Sequence, residues 1–173
     1  MDLKQVIRNI KDFPKPGIVF RDITTLLKNP EAFKFALDQF YSQLKNRNIT
    51  AIIGIESRGF IFGAPLAQMM NLPLVLVRKP GKLPSETVSQ SYELEYGTDS
   101  IEIHKDALDQ KDNVVIVDDL LATGGTAEAS IKLIESLNAK VDSLAFVVEL
   151  TFLDGRGKLG GKEIISLVKY DSE

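Results

Sequence analysis

Residues 114–126, VVIVDDLLATGGT, set two carboxylates at the end of an apolar run and follow them with a short, hydroxyl-rich loop containing two glycines. Gly124 and Gly125 permit positive φ and close backbone approach, and the N–H groups of such a loop, leading into a helix, converge on one spot that attracts a phosphate. Thr123 and Thr126 add hydroxyl donors beside Ala122. No lysine follows the glycines, so this is not the Walker loop of an ATPase. Asp118 and Asp119 stand beside that anion site, where bare carboxylates would repel the ligand unless they face its hydroxyls or a bound cation. A ribose diol with Mg2+ meets both conditions. A second stretch, GIESRGFIFG at 54–63, puts Glu56, Ser57 and Arg58 after another apolar run, with Gly59 permitting a tight backbone. A third cluster, Arg78, Lys79 and Lys82, could place positive charge over a leaving group whose negative charge grows during reaction.

Each feature also has a plain structural reading. An Asp-Asp pair can be a solvated turn, a Gly-Gly pair a helix connection, and an Arg in a strand-to-helix loop a surface ion pair. The basic cluster can be a solvated turn, Glu95 an exposed strand residue and Phe20 a core aromatic. His104 is the single histidine and the obvious base near neutral pH. It lies away from these motifs and is read as peripheral.

The elements that position the motifs follow from hydrophobic periodicity. TAIIGI, PLVLVR, NVVIVDD, SLAFVVEL and IISLVKY are short continuous apolar runs of the kind that buried parallel strands show. Between them the sequence predicts helices over residues 61–70 and 127–137, and an earlier amphipathic helix starting at Asn29-Pro30-Glu31 and ending near Arg47. Leu3, Val6, Ile7 and Ile10 recur at helical spacing before Pro14, Pro16 and Gly17 turn the chain. Alternating strands and helices predict an α/β fold with a mostly parallel central sheet flanked by helices, whose ligands sit beyond the carboxyl ends of the strands. Residues 79–105 are different: a Gly-, Pro- and Ser-rich loop feeds the alternating segments SYELEY and SIEIH. A connection of that length suits a flexible lid hairpin. The glycine-rich stretch DGRGKLGGK leaves the last connection undefined.

Composition bounds the classes. A chain of 173 residues fits a single domain, 1–173, and 44% apolar with 26% charged residues suits an ordinary globular protein. The 21 basic and 24 acidic side chains give a net charge of −3, which supplies no broad field for a nucleic-acid backbone. No cysteine is present, so disulfides, thiolate zinc sites and a cysteine nucleophile are excluded, and a reducing compartment is compatible. No stretch reads as a signal peptide or membrane span. The cytoplasm is the expected location, with neither nucleic acid nor membrane as partner.

The run VVIVDDLLATGGT resembles the signature of the type I phosphoribosyltransferases, and its LLATGGT form resembles the adenine-specific branch; the resemblance extends over nearly the whole chain. It implies a type I phosphoribosyltransferase fold with a small N-terminal base-binding hood over residues 1–30. It implies conversion of adenine and 5-phosphoribosyl-1-pyrophosphate to AMP and pyrophosphate in purine salvage, with Mg2+ carried by the phosphoribosyl pyrophosphate rather than by dedicated protein ligands. In that reading Asp118 and Asp119 contact the ribose hydroxyls and Ala122, Thr123, Gly124, Gly125 and Thr126 hold the 5′-phosphate. Glu56, Ser57 and Arg58 form the pyrophosphate loop, with a cis Glu56–Ser57 peptide. The stretch RKPGKLP matches the family pattern around Arg78, Lys79 and Lys82. Glu95, with Tyr96 after it, matches a glutamate that handles the purine proton. Within FPKPGIVFRDIT, Phe20 stacks on the purine, the backbone of Val19 and Arg21 reads adenine's edge, and Leu150 closes the pocket. Arg58 and Lys82 join Glu95 as catalytic groups. A homodimer is implied, with residues 78–82 near its interface. Two rivals stand beside this reading: transfer to another purine base, and a regulator that only senses phosphoribosyl pyrophosphate.

Overall fold

Strands that are apolar on both faces can survive only between two layers of packing, and that requirement organises the chain. The computed structural model describes residues 1–93 and 97–173. In chain order the elements are β1 (Arg8–Lys11), β2 (Val19–Asp22), α1 (Thr24–Lys28), α2 (Pro30–Leu44), β3 (Ala51–Ile55), α3 (Arg58–Met70), β4 (Leu74–Val77), β5 (Thr87–Glu93), β6 (Thr98–His104), β7 (Asn113–Leu121), α4 (Gly125–Ser136), β8 (Lys140–Leu150) and β9 (Glu163–Tyr170). β4, β3, β7, β8 and β9 lie side by side in that order in one five-stranded sheet whose pairings are all parallel. No helix among the described residues is long and apolar enough to cross a membrane.

The two faces of this sheet feed two cores. Ile52, Val115, Val117, Ala145 and Val147 face α2 and α3, with Phe40, Phe62 and Leu66 among their buried neighbours. Ala51, Ile53, Ile55, Val114, Ile116, Leu144 and Phe146 face the other way, towards Ile131, Leu133 and Ile134 of α4 and Ile101 and Ile103 of β6. Along β3, β7 and Leu144–Val147 of β8 this alternation between cores is the period of two expected of a strand, and it explains why these runs are continuously apolar. α2 begins where the sequence predicts: the Asn29 side chain accepts from the N–H groups of Glu31 and Ala32, each at 3.1 Å, and Pro30 occupies the first turn.

Two expectations change. Leu3, Val6, Ile7 and Ile10 do not form a helix; a single 3-10 turn spans Leu3–Gln5, and Arg8–Lys11 pairs antiparallel with Val19–Asp22. So few residues cannot nucleate a stable helix alone, and the Phe13–Gly17 turn returns the chain so that backbone pairing wins. The hairpin in 79–105 is longer than SYELEY and SIEIH suggest, running in register from Thr87 opposite His104 to Glu93 opposite Thr98. Its root is tied to β4 by reciprocal backbone hydrogen bonds between Arg78 and Glu102 at 2.9 and 2.7 Å.

Phe62 is fully buried on α3 and meets Phe33 of α2 edge-on, with ring centroids 5.5 Å apart. Phe62→Ala is therefore expected to lose about 3–5 kcal/mol, read as a lower urea midpoint at unchanged slope.

Candidate active site

Two strand-to-helix connections lie next to each other. β3 and β7 are parallel neighbours, and each passes through a short loop directly into a helix, β3 into α3 and β7 into α4. Both helix N-termini therefore open at the same end of the sheet, where free N–H groups and the helix dipole favour anions. Gly124 is the N-cap of α4 with φ +82°, which a side chain would strain. The loop after β7 and the start of α4, residues 120–127, line a cavity of about 100 Å³ that Tyr92 and Glu93 of β5 complete. Larger hollows exist elsewhere, one of about 380 Å³ between the N-terminal turn, α2 and β9.

At the end of β7 the two carboxylates are close and poorly hydrated. Asp119 is 4% exposed and forms an ion pair with Arg58, the first residue of α3, whose Nε lies 2.9 Å from its Oδ2. The Asp118 Oδ1 accepts from the Asp119 N–H at 2.8 Å. Burial, then the neighbouring Asp119 charge, push the Asp118 carboxyl well above the ordinary range. Burial also raises Asp119, although Arg58 opposes it. The loop carrying Arg58 can press this close because of Gly59: a Cβ there would lie 2.5 Å from the Val117 carbonyl oxygen. Ser57 is exposed, caps α3 without using its hydroxyl, and follows a cis Glu56–Ser57 peptide, as the resemblance implies.

The basic cluster is balanced by carboxylates. Arg78 Nε donates to Glu56 Oε2 at 3.2 Å, and the Lys79 N–H donates to the same oxygen at 2.8 Å. Burial alone would raise the Glu56 pKa, but these hydrogen bonds and the charges of Arg78 and Lys82 hold it below its ordinary value. Lys79 Nζ pairs with Asp99 of β6 and donates to the Tyr92 hydroxyl at 3.0 Å. Lys82 lies one turn on, its carbonyl accepting from Arg78 Nη1 at 3.3 Å.

The N-terminal hairpin reaches the carboxyl end of β9. Phe20 is half-buried with Phe13 packed edge-on at 5.2 Å. The Arg21 guanidinium stacks 3.9 Å from the centre of the Tyr170 ring, and Tyr170 stands opposite Leu150 in the β8–β9 register. Arg21 Nη2 also donates to the Ser172 carbonyl at 3.1 Å, and the Val19 N–H donates to the Glu173 carboxylate at 2.8 Å. The C-terminal residues thus lie along the strand edge assigned from sequence to the purine. Sequence reasoning missed this contact, along with Phe13, Asp99 and Gly155; FPKPG held Phe13 in plain view, whereas the others depend on pairing distant in the chain. Glu95 and Tyr96 lie outside the described residues. His104 Nε2 accepts from the Ser85 N–H at 3.4 Å at the end of β6, apart from the strand ends just described.

The raised carboxyls have a consequence for stability. A folded-state pKa above the unfolded one means that the folded protein binds more protons, so stability falls as pH rises above the ordinary Asp value of about 3.9. Asp118→Asn is expected to raise Tm at pH 7.5 by about 2–4 °C, the shift that about 1 kcal/mol produces at this size. The gain should vanish as pH falls towards 4, where Asp118 is protonated in both states. Thermal melts across that pH range check it.

Known proteins share this fold. The family model for the phosphoribosyl transferase domain matches residues 22–163. The chain is 58% identical over 169 residues to the adenine phosphoribosyltransferase of Thermoanaerobacter pseudethanolicus, covering 98% of both chains. The crystal structure of adenine phosphoribosyltransferase from that organism matches with a TM-score of 0.93 at 59% identity, over 96% of this chain and 97% of that one. The Saccharomyces cerevisiae enzyme, complexed with an imino-altritol bisphosphate and adenine, matches with a TM-score of 0.90 at 42% identity, over 95% and 96%. With a parallel sheet, paired helix N-termini and relatives of this similarity over nearly its full length, the chain belongs to the adenine phosphoribosyltransferases of the type I phosphoribosyltransferase family.

Proposed function

We propose that this protein forms AMP and pyrophosphate from adenine and 5-phosphoribosyl-1-pyrophosphate, as a purine salvage enzyme, with the sugar phosphate spanning the N-termini of α3 and α4. The observation that carries the reading is their position at the ends of adjacent parallel strands, with the Asp118–Asp119 pair at the same end. A substrate with phosphates at both ends and a diol between them matches anion sites flanking acceptors. Ala122 to Thr126 receive the 5′-phosphate, and Asp118 and Asp119 accept from the ribose hydroxyls. The free N–H groups of α3, with Ser57 and Arg58, receive the pyrophosphate.

The reaction is a displacement. N9 of adenine bonds to the anomeric carbon as the bond from that carbon to pyrophosphate breaks, its electron pair leaving with the pyrophosphate. The N9 proton goes to a base, the role the resemblance gives Glu95. A single guanidinium, Arg58, faces two crowded carboxylates whose pKa values stay raised, so the pair fits a ligand that brings hydroxyls and a cation. Mg2+ carried by the substrate supplies neutralisation of the departing pyrophosphate. Arg78 and Lys79 are held by Glu56 and Asp99, so pyrophosphate takes them over from carboxylates, and Lys82 adds charge where it accumulates. Phe20 supplies a stacking face and the Val19 and Arg21 backbone the edge contacts. Polar groups built for adenine's amino donor and ring acceptor are left unpaired by hypoxanthine, which gives large discrimination. A cytoplasmic homodimer with residues 78–82 near its interface belongs to the same reading.

The test is nucleotide formation from adenine, hypoxanthine, guanine and xanthine with phosphoribosyl pyrophosphate and Mg2+, beside an Asp118→Ala, Asp119→Ala double variant. Adenine alone should react, and the variant should lose at least about a hundredfold in kcat/KM for phosphoribosyl pyrophosphate. Preference for another base would overturn the edge assignment, and no turnover with any base would favour a sensing regulator.

The Glu173 contact adds a second expectation. Its carboxylate holds the Val19 N–H, so adenine has to displace it. Glu173→Ala should lower KM for adenine by about threefold, the order of one exposed hydrogen bond, and leave KM for phosphoribosyl pyrophosphate unchanged in initial-rate measurements.

A further inference from the structure

The phosphate loop has a wall of its own. Gly155 begins a 3-10 turn, Gly155–Lys158, that meets the loop backbone to backbone. A Cβ on Gly155 would lie 2.3 Å from the Ala122 carbonyl oxygen, and one on Gly124 would lie 2.5 Å from the Gly155 carbonyl oxygen. Loop and turn are packed backbone against backbone, so neither can move towards the other. The turn is held in place by its next residue. Arg156 Nη2 donates to Glu149 Oε2 at 2.7 Å, and Arg156 Nε pairs with Oε1 of the same carboxylate. The Ser166 hydroxyl donates to Glu149 Oε2 at 2.5 Å.

Glu149 is 2% exposed, near the end of β8, and stands opposite Leu121, the residue before Ala122. A carboxylate so deep is costly unless paired and hydrogen-bonded. Burial alone would raise its pKa, yet Arg156 and Ser166 hold it below its ordinary value. Leu159, 1% exposed at the far end of the turn, packs in the same core as Leu121 and Ala127. A buried ion pair is a poor way to gain stability, since an apolar replacement often does as well. Its geometric value is greater: a guanidinium fork on a carboxylate fixes both distance and orientation.

We propose that Glu149, Arg156 and Ser166 are positioning residues for the phosphoribosyl substrate, which lock the 155–158 turn against residues 122–124 and so aim the loop N–H groups at the 5′-phosphate. The proposal rests on the assignment of that loop to the 5′-phosphate.

Titration calorimetry of the whole protein with AMP and with adenine, together with steady-state kinetics, tests it. Arg156→Lys keeps the charge but loses the fork, and Ser166→Ala removes the hydroxyl's bonds to Glu149 and Arg156 and leaves the ion pair. Arg47→Ala is the control, because it breaks ion pairs to Glu163 and Asp142 at the opposite end of the sheet. Arg156→Lys should weaken AMP about tenfold and Ser166→Ala about threefold, the range for the net contribution of a typical hydrogen bond. Adenine affinity should stay at the wild-type value, and KM should rise for phosphoribosyl pyrophosphate only. Arg47→Ala should lower Tm with AMP affinity intact. Wild-type AMP affinity in both brace variants, or parallel loss of AMP and adenine, would overturn the proposal. If Arg156→Lys does not fold, Ser166→Ala decides by the same threefold criterion. Failure of the wild-type protein to bind AMP would overturn the loop assignment instead, and the brace with it.

Discussion

The pairing of β3 with β7 is the constraint on which the rest depends. Because they are parallel neighbours, Ala51 opposite Val114 through Gly54 opposite Val117, their carboxyl ends finish together. Each then enters a helix, so two sets of free N–H groups point to one end of one sheet. Antiparallel pairing would have put one set at the opposite end. The register also brings α3 against β7: Gly59 lies so close to the Val117 carbonyl that no side chain fits. Arg58, one residue earlier, is thereby delivered to Asp119. Two features distant in sequence become one electrostatic unit through strand order and a missing Cβ.

That unit is held at a cost. Asp118 and Asp119 are adjacent, poorly hydrated and compensated by one guanidinium that remains 47% exposed on its side chain. A chain selected for stability alone would not keep them, because a buried like-charge pair destabilises the folded state wherever both are ionised. The acids left without this strain are informative by contrast. Asp22, paired with Arg8 and bonded to Thr24, is lowered to about 2, chiefly by the Thr24 N–H. Glu149 is as inaccessible to water as Asp119, but both of its oxygens are bonded within the scaffold. Asp22 and Glu149 are satisfied within the scaffold, whereas Asp118 and Asp119 share one ion-pair partner.

The sequence exposed the parts of this design that are local. The apolar runs named the five parallel strands because strands covered on both faces must be apolar throughout, and VVIVDDLLATGGT named a strand end, a glycine loop and a helix start because glycines and acids occur together in so few residues. The N-terminal segment misled because Leu3, Val6 and Ile7 satisfy helical spacing in a stretch too short to propagate a helix, and pairing with Val19–Asp22 lies beyond any window of periodicity. The partners of Lys79, Arg156 and the Val19 N–H were invisible for the same reason. Asp99, Glu149 and Glu173 lie 20, 7 and 154 residues away, and only strand register or chain reversal joins them.

The stretch DGRGKLGGK shows where composition misleads. It is a connection rich in glycine, with Gly160 and Gly161 at positive φ as flexible turns require. Gly155 in the same stretch serves a different purpose, because its backbone occupies space that any Cβ would deny to Ala122 and Gly124. Glycine marks flexibility where the chain is free and rigidity where two backbones touch, and composition cannot separate the cases. The neighbouring side chain can. Arg156 next to Gly155 is bonded to a buried carboxylate, whereas Gly160 and Gly161 have open space about them. A glycine beside an anchored charge is a contact point, and here the contact reaches the glycine loop at the start of α4.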